Sequence, residues 1–74
     1  MSKLIRMDQT GHSTLAEWTA GDADAIARAE AEFSAELERG LFAVVTNGEG
    51  HAEQVRELPV DADLVIMRRP IAGG

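Results

Sequence analysis

Residues 22–40 read DADAIARAEAEFSAELERG, and this stretch decides how the rest of the chain is interpreted. Ala, Glu and Arg dominate it; these are strong helix formers, and neither Gly nor Pro interrupts them between Ala23 and Arg39. Asp22 suits the N-cap position, because its carboxylate can accept hydrogen bonds from the free amides of a first turn. Gly40 suits the left-handed conformation that closes a helix. We therefore predict a helix from Ala23 to Arg39.

The predicted helix has one apolar stripe and one polar face. On the polar face, charged residues recur every four positions, and Asp24–Arg28 is a favourable pair at that spacing. A chain of 74 residues buries only about 60% of its unfolded surface, so the stripe must be covered by a sheet. The stripe consists of Ile26, Ala29, Phe33 and Leu37, and the polar face consists of Asp24, Arg28, Glu32 and Glu36.

The sequence before the helix predicts a β-hairpin. Residues 3–7 (KLIRM) alternate imperfectly between apolar and charged side chains and form the first strand. Residues 8–11 (DQTG) have turn chemistry, since Asp can bond its own backbone and Gly tolerates positive φ. Residues 12–18 (HSTLAEW) return as the second strand, with the β-branched and aromatic character that strands favour.

Three further strands are predicted after the helix. Residues 41–46 (LFAVVT) are almost continuously apolar, which indicates a central strand covered on both faces. Residues 47–50 (NGEG) form a turn, and residues 51–58 form a poorer strand that we place at an edge. Pro59 stops that strand, because proline cannot donate to a sheet ladder. Residues 64–67 (LVIM) form the last, buried strand.

The order hairpin, helix, strand, edge strand, final strand predicts an α+β fold with a mixed four- to five-stranded sheet. One helix packs across that sheet, with Phe33 and Leu37 expected against Val44 and either Leu64 or Ile66. The first and last strands lie side by side in the middle of the sheet if the connection that carries the helix is a right-handed crossover. That arrangement is the β-grasp, and the element order resembles the ubiquitin-like superfamily over essentially the whole chain. We expect a single domain over residues 1–70 and a tail over residues 71–74.

The tail itself ends in a diglycine, Gly73-Gly74, which leaves a carboxylate on a backbone with almost no side-chain bulk. Such a tail can enter a narrow enzyme channel, although a frayed chain end is the alternative interpretation. Residues 69–74 (RPIAGG) are similar to the ending of the molybdopterin and thiamin sulfur-carrier proteins, especially the molybdopterin type. The tail departs from that pattern at Arg69, where a second proline is common, and from eukaryotic ubiquitin at Ala72, where arginine precedes the diglycine. Residues 7–14 (MDQTGHST) also resemble small uncharacterised Gly-Gly proteins of bacteria and their phages.

The resemblance implies a carrier or modifier that is a substrate and not an enzyme, and that needs no cofactor. An ATP-dependent activating enzyme of bacterial type would adenylate the carboxylate of Gly74. The product would become a thiocarboxylate for a sulfur-transfer partner or an amide on a lysine of an acceptor protein. Gly73 and Gly74 would enter the enzyme channel, and Pro70, Ile71 and Ala72 would anchor the tail.

A different class of function is also compatible with the sequence. The chain would then be a structural or interaction protein, such as a phage virion or assembly component. Its tail would dock non-covalently on a neighbouring subunit or extend the edge of that neighbour's sheet.

Composition excludes several other classes. The net charge is −6, and no basic cluster with interleaved aromatic residues offsets it, so we expect no nucleic-acid binding. No apolar run approaches the roughly 20 residues of a membrane span, and the first residues are too few and too charged for a signal peptide. The absence of cysteine excludes disulfides and thiol catalysis. We expect a cytoplasmic protein, or a virion protein if a phage encodes it.

Several reactive residues lack the neighbours that a functional site requires. Two histidines have no adjacent cluster of metal ligands, and two acids at a strand entry are typical of solvated caps. Two serines have no nucleophile-elbow context, and a Gly-Glu-Gly segment lacks the Lys-Ser/Thr of a phosphate loop. Trp18 is interpreted as a packing residue. We therefore predict neither a catalytic nor a metal site. The histidines are His12 and His51, the acids are Asp61 and Asp63, the serines are Ser13 and Ser34, and the Gly-Glu-Gly segment is residues 48–50.

Overall fold

A computed structural model describes residues 1–8, 11–46 and 52–70 of the chain. These residues form five strands and one helix. The elements are β1 (Ser2–Asp8), β2 (Gly11–Trp18), α1 (Ala23–Glu38), β3 (Phe42–Thr46), β4 (Ala52–Val55) and β5 (Leu64–Arg68).

The five strands form one mixed sheet in the order β2-β1-β5-β3-β4. β1 and β5 are parallel neighbours at its centre, and every other pairing is antiparallel. The predicted α+β class, the hairpin and the central position of the first and last strands are confirmed. β4 lies at an edge as predicted but covers only Ala52–Val55, because few of its side chains contribute to the core.

The predicted N-cap residue and the predicted glycine after the helix are both confirmed. The carboxylate of Asp22 accepts a hydrogen bond from the backbone N–H of Ala25 at 3.1 Å. Gly40 has φ +94°, so it takes the left-handed conformation that follows a helix C-terminus. The helix itself ends at Glu38, one residue earlier than predicted, with Arg39 as the C-cap.

The helix covers one face of the sheet, which we call the covered face. Strand alternation sends Val65 and Met67 of β5 to this face, where both are fully buried under Ala29 and Phe33 of the helix. Trp18 closes the end of β2, since it is 1% exposed and its indole N–H donates to the carbonyl of Val60 at 3.1 Å. The buried cluster consists of Leu4, Trp18, Ala29, Phe33, Leu41, Ala43, Val65 and Met67.

Two predictions about the opposite face, which we call the open face, are wrong. β3 is not covered on both faces, because the only helix among the described residues lies on the covered face. Val44 pairs with Ile66 in the sheet register, and neither belongs to the cluster around Phe33. Phe33 instead packs in the cluster with Ala43 and Met67 of the same two strands. The prediction named the correct strands but the wrong face of the sheet. Successive side chains of a strand point to opposite faces, so an error of one residue moves the predicted contacts to the other face.

Candidate functional site

The segment that precedes the predicted tail leaves the sheet from its central strand. β5 pairs with β1 on one side and with β3 on the other, and it ends at Arg68. Arg69 and Pro70 follow; both are exposed and outside regular structure. Pro70 has no backbone N–H and a fixed φ, so it cannot continue the ladder. Of the residues predicted to anchor or form the tail, the structure describes Pro70; Ile71, Ala72, Gly73 and Gly74 lie outside the described residues.

An apolar patch on the open face lies beside this exit. Ile5, Ile66 and Val44 form one cross-strand row on β1, β5 and β3. Phe42 pairs with Arg68, the last residue of β5, so the patch reaches the end of the strand that leads to the predicted tail. Apolar surfaces of this kind mark contact sites for other proteins. The open-face patch consists of Phe42, Val44, Leu64 and Ile66, which are half-buried, and of Ile5, which is only 8% exposed; Met7, which is 42% exposed, lies at its rim.

The tail exit carries two basic residues, whereas the exposed charges of the helix are mostly acidic. Arg68 and Arg69 are exposed at the tail exit. The outer side of the helix carries exposed acidic residues, and among the described residues its Asp24 and Arg28 do not form the ion pair that the sequence predicted. The exit is therefore locally basic on an acidic protein. The exposed helix acids are Asp24, Glu30, Glu32 and Glu38.

Sequence reasoning missed a buried carboxylate. Glu36 was placed on the solvated polar face, whereas the structure leaves it 2% exposed. Its carboxylate accepts a hydrogen bond from Arg6 of β1 at 2.9 Å and a weaker one from Arg39 at 3.4 Å. Arg6 lies two residues after Leu4, so alternation places it on the covered face, where its charge requires a partner from the helix. That alternation is the signal that could have found the pair, whose role is to fix the helix on the sheet.

A groove runs between β2 and the helix, and we call it the β2 groove. Its volume is about 410 Å³. A second groove of about 340 Å³ lies on the other side of the helix, beside the segment that follows β4. Ser34 lines the second groove together with Glu30 and Glu57, but among the described residues its hydroxyl makes no hydrogen bond to either carboxylate. Neither groove therefore shows a nucleophile held by a base. The β2 groove is lined by Leu15, Ala16 and Glu17 of β2 and by Ala25, Arg28, Ala31 and Glu32 of the helix.

The residues set aside in the sequence remain scattered. His12 and Ser13 are exposed on β2, Ser34 is exposed on the helix, and Asp61 and Asp63 are exposed before β5. Within the described ranges, no group of three or more His, Cys, Asp or Glu could hold a metal ion. His51 and residues 48–50 lie outside the described residues. In the part of the chain that the structure covers, no helix is both long and apolar enough to cross a membrane.

No protein-family model matches the chain, and comparisons with curated proteins and with solved structures find no match.

Proposed function

We propose that the chain is a ubiquitin-like carrier or modifier with the β-grasp fold. In this proposal an ATP-dependent activating enzyme acts on the carboxylate of Gly74, for sulfur transfer or for conjugation to an acceptor protein. The observation that carries the proposal is the position of β5, which is paired on both sides and ends at Arg68. The residues 69–74 can extend at most about 20 Å from that strand. The diglycine is thus tethered by a short segment to the centre of the sheet.

The strand order supports the β-grasp assignment. A hairpin, a helix across the sheet and a parallel pairing of the first and last strands are the elements that this fold combines, and all are present. The order β2-β1-β5-β3-β4 also places both chain-terminal strands between the two edges. A fold supports many functions, so the carrier role rests on the tail and its point of departure.

The proposed chemistry requires little of this chain beyond access. A carboxylate oxygen of Gly74 attacks the α-phosphorus of ATP, and the bond to the pyrophosphate leaving group breaks. A sulfur nucleophile or a lysine amine, each supplied by a partner, then attacks the carbonyl carbon and displaces AMP. Gly73 and Gly74 contribute by having no Cβ, so a narrow channel can bring the carboxylate to the nucleotide.

The surface beside the exit supports a protein partner. The open-face patch reaches Phe42 and Arg68, at the end of the strand that leads to the predicted tail. An enzyme that held the tail would therefore contact this patch and the exposed Arg69. The chemistry of the patch fits a partner surface that combines apolar side chains with carboxylates.

An adenylation assay tests the proposal. The purified chain is incubated with a soluble extract of its source cells and with ATP labelled at either the α- or the γ-phosphate. We expect α-label, and no γ-label, to become attached to the chain, because AMP is retained and pyrophosphate is released. Intact-mass analysis first establishes that Gly74 carries the terminal carboxylate, which the reaction requires.

Two tail variants serve as controls. Deleting Gly74 withdraws the carboxylate by about 3.5 Å, and Gly73→Val adds a β-branched side chain in the channel. Both variants should lose the label and keep the thermal stability of the wild type, since β5 ends at Arg68, before either residue. Labelling of the truncated chain at the wild-type level would contradict activation at Gly74.

A second candidate function is that of an interaction protein, such as a phage virion or assembly component. The open-face patch favours it, and so does the edge of β2, which has no further strand beside it among the described residues. Both offer surface to neighbouring subunits without any chemistry at the tail. Full biological activity of the chain lacking Gly74 would support this function in place of the first.

A further inference from the structure

β2 is a long strand with a free outer side. It spans eight residues and lies at one end of the sheet, with no strand beyond it among the described residues. Natural edge strands are commonly protected by lysine or other charges, by proline or by a β-bulge. β2 contains no lysine or proline; it has one acidic residue, Glu17, which lies near Lys3 of β1, and one bulge. A β-bulge interrupts its pairing with β1 at Leu15, and both Leu15 and Ala16 line the β2 groove. The strand therefore offers free backbone groups beside an apolar floor.

Two unpaired charges of opposite sign lie across this groove from β2. Arg28 and Glu32 line it from the helix, and both are exposed. Among the described residues, neither side chain has an ion-pair or hydrogen-bond partner. A pair four residues apart in a helix is more favourable when the acidic residue precedes the basic one. Here the basic residue, Arg28, precedes the acidic residue, Glu32, so the pair within one helix is the less favourable kind.

The helix and β2 run in opposite directions. This direction determines which residues of β2 lie beside Arg28 and Glu32 of the helix. Near one end, Ala25 lines the groove together with Glu17. Near the other end of the helix, Glu36 accepts a hydrogen bond from Arg6 of β1, and Arg6 pairs with Ser13 of β2 in the sheet. Helix and strand rises of about 1.5 and 3.3 Å per residue then place the midpoint between Arg28 and Glu32 near the level of Leu15, close to the middle of β2.

We propose that two copies of this chain associate through β2, antiparallel to each other, around a two-fold axis that is perpendicular to the sheet near Leu15. This operation keeps both helices on the same side of a continuous sheet and makes them antiparallel. Arg28 of each copy then lies opposite Glu32 of the other, so the same ion pair forms twice. Such self-complementarity is what an isologous interface requires. The groove of each copy faces that of its partner.

A second copy fits this edge better than an unrelated extended peptide does. A peptide could use the free backbone of β2, but nothing would require its charges to repeat the pattern of Arg28 and Glu32. The interface is also separate from the tail exit, since β1 lies between β2 and β5. The dimer therefore does not depend on the proposed activation at Gly74.

Sedimentation equilibrium over a range of concentrations tests the dimer. We expect the wild type to show a reversible monomer–dimer equilibrium. Arg28→Glu and Glu32→Arg should each weaken self-association at least about tenfold, because each places like charges opposite one another twice. An equimolar mixture of the two variants should associate as the wild type does, since glutamates then face arginines. The double variant R28E/E32R should also restore the dimer.

Glu30→Arg is the matched control for Glu32→Arg. It makes the same change in net charge, but Glu30 lines the groove on the other side of the helix. We expect it to leave the dissociation constant within about twofold, because surface charges with no facing partner contribute little. All the variants change exposed side chains, and circular dichroism checks that the fold is retained.

Three results would overturn the proposal. The first is a wild type that remains monomeric at its highest soluble concentration. The second is a Glu30→Arg variant as weakened as Glu32→Arg, which would indicate a general charge effect. The third is a failure of both the mixture and the double variant to restore association.

Discussion

The two faces of the sheet differ far more in burial than in hydrophobicity. On β5 alone, Val65 and Met67 are fully buried on the covered face, whereas Leu64 and Ile66, equally apolar, are only half-buried on the open face. The difference arises because the helix has one apolar stripe and can cover one face. The covered face stabilises the fold, and the open face retains apolar surface that another protein can bury.

The largest effect is expected on the covered face, at Phe33. This side chain is 3% exposed and packs in the central cluster. Phe33→Ala should lower the free energy of unfolding by about 3–5 kcal/mol, because it leaves a cavity under the helix. Denaturant unfolding measures the change, with Ser34→Ala as an exposed control on the next residue. A variant as stable as its control would show that the helix does not cover this face.

The two faces can be compared directly with neighbouring substitutions on β5. Met67→Ala should cost about 2–5 kcal/mol, since the residue is fully buried in the core. Ile66→Ala should cost about 1 kcal/mol, because the half-buried side chain loses less apolar contact. Thermal or denaturant unfolding of both variants measures the two losses of stability, so that they can be compared. Equal losses would mean that the open face is covered.

A smaller effect is expected at the polar contact between the helix and β1. Glu36→Ala leaves the side chain of Arg6, 28% exposed, without its partner and should cost about 1–3 kcal/mol. Arg39→Ala is the control and should cost less than about 1 kcal/mol, since Arg39 is 62% exposed and its bond to Glu36 is longer.

An apolar replacement of both partners sharpens that test. The double variant with Arg6→Met and Glu36→Leu should recover most of the lost stability, because no charge is then left unpaired on the covered face. If Glu36→Ala and Arg39→Ala are equally harmless, the contact does not hold the helix in place.

The smallest effect distinguishes the edge of the sheet from its centre. β4 is a four-residue edge strand with one neighbour, whereas β5 is paired on both sides. Backbone amides of Ala52–Val55 should therefore exchange with solvent faster than those of Leu64–Arg68. Hydrogen exchange followed by mass spectrometry or NMR measures this, and equal protection would contradict the strand order.

Local signals in the sequence predicted most of the elements correctly. Asp22 and Gly40 act on their own helix ends, so their effects can be recognised without knowing the fold. The central position of β5 followed from the element order. In contrast, Val44 and Ile66 belong to runs that are apolar at every position, and such runs do not reveal which alternate residues meet the helix.

The candidate site was only partly accessible to sequence reasoning. The diglycine is visible in any reading of the chain, but the open-face patch requires the cross-strand register of three strands. The burial of Glu36 depends on Arg6, thirty residues earlier, and helical spacing alone placed it in solvent. The β2 groove is lined in part by Leu15, where a bulge interrupts the pairing with β1, and the sequence gives no local signal for that bulge.

The most direct test of the proposed carrier function is to determine the chemical state of Gly74 in protein recovered from its source cells. For conjugation, tryptic peptides of other proteins should carry residues 69–74 on a lysine, because trypsin cleaves after Arg68 and the Arg69–Pro70 bond resists it. For sulfur transfer, the intact mass should show one terminal oxygen replaced by sulfur. A chain recovered only with a free, unmodified carboxylate, under conditions in which it performs its biological role, would contradict the account.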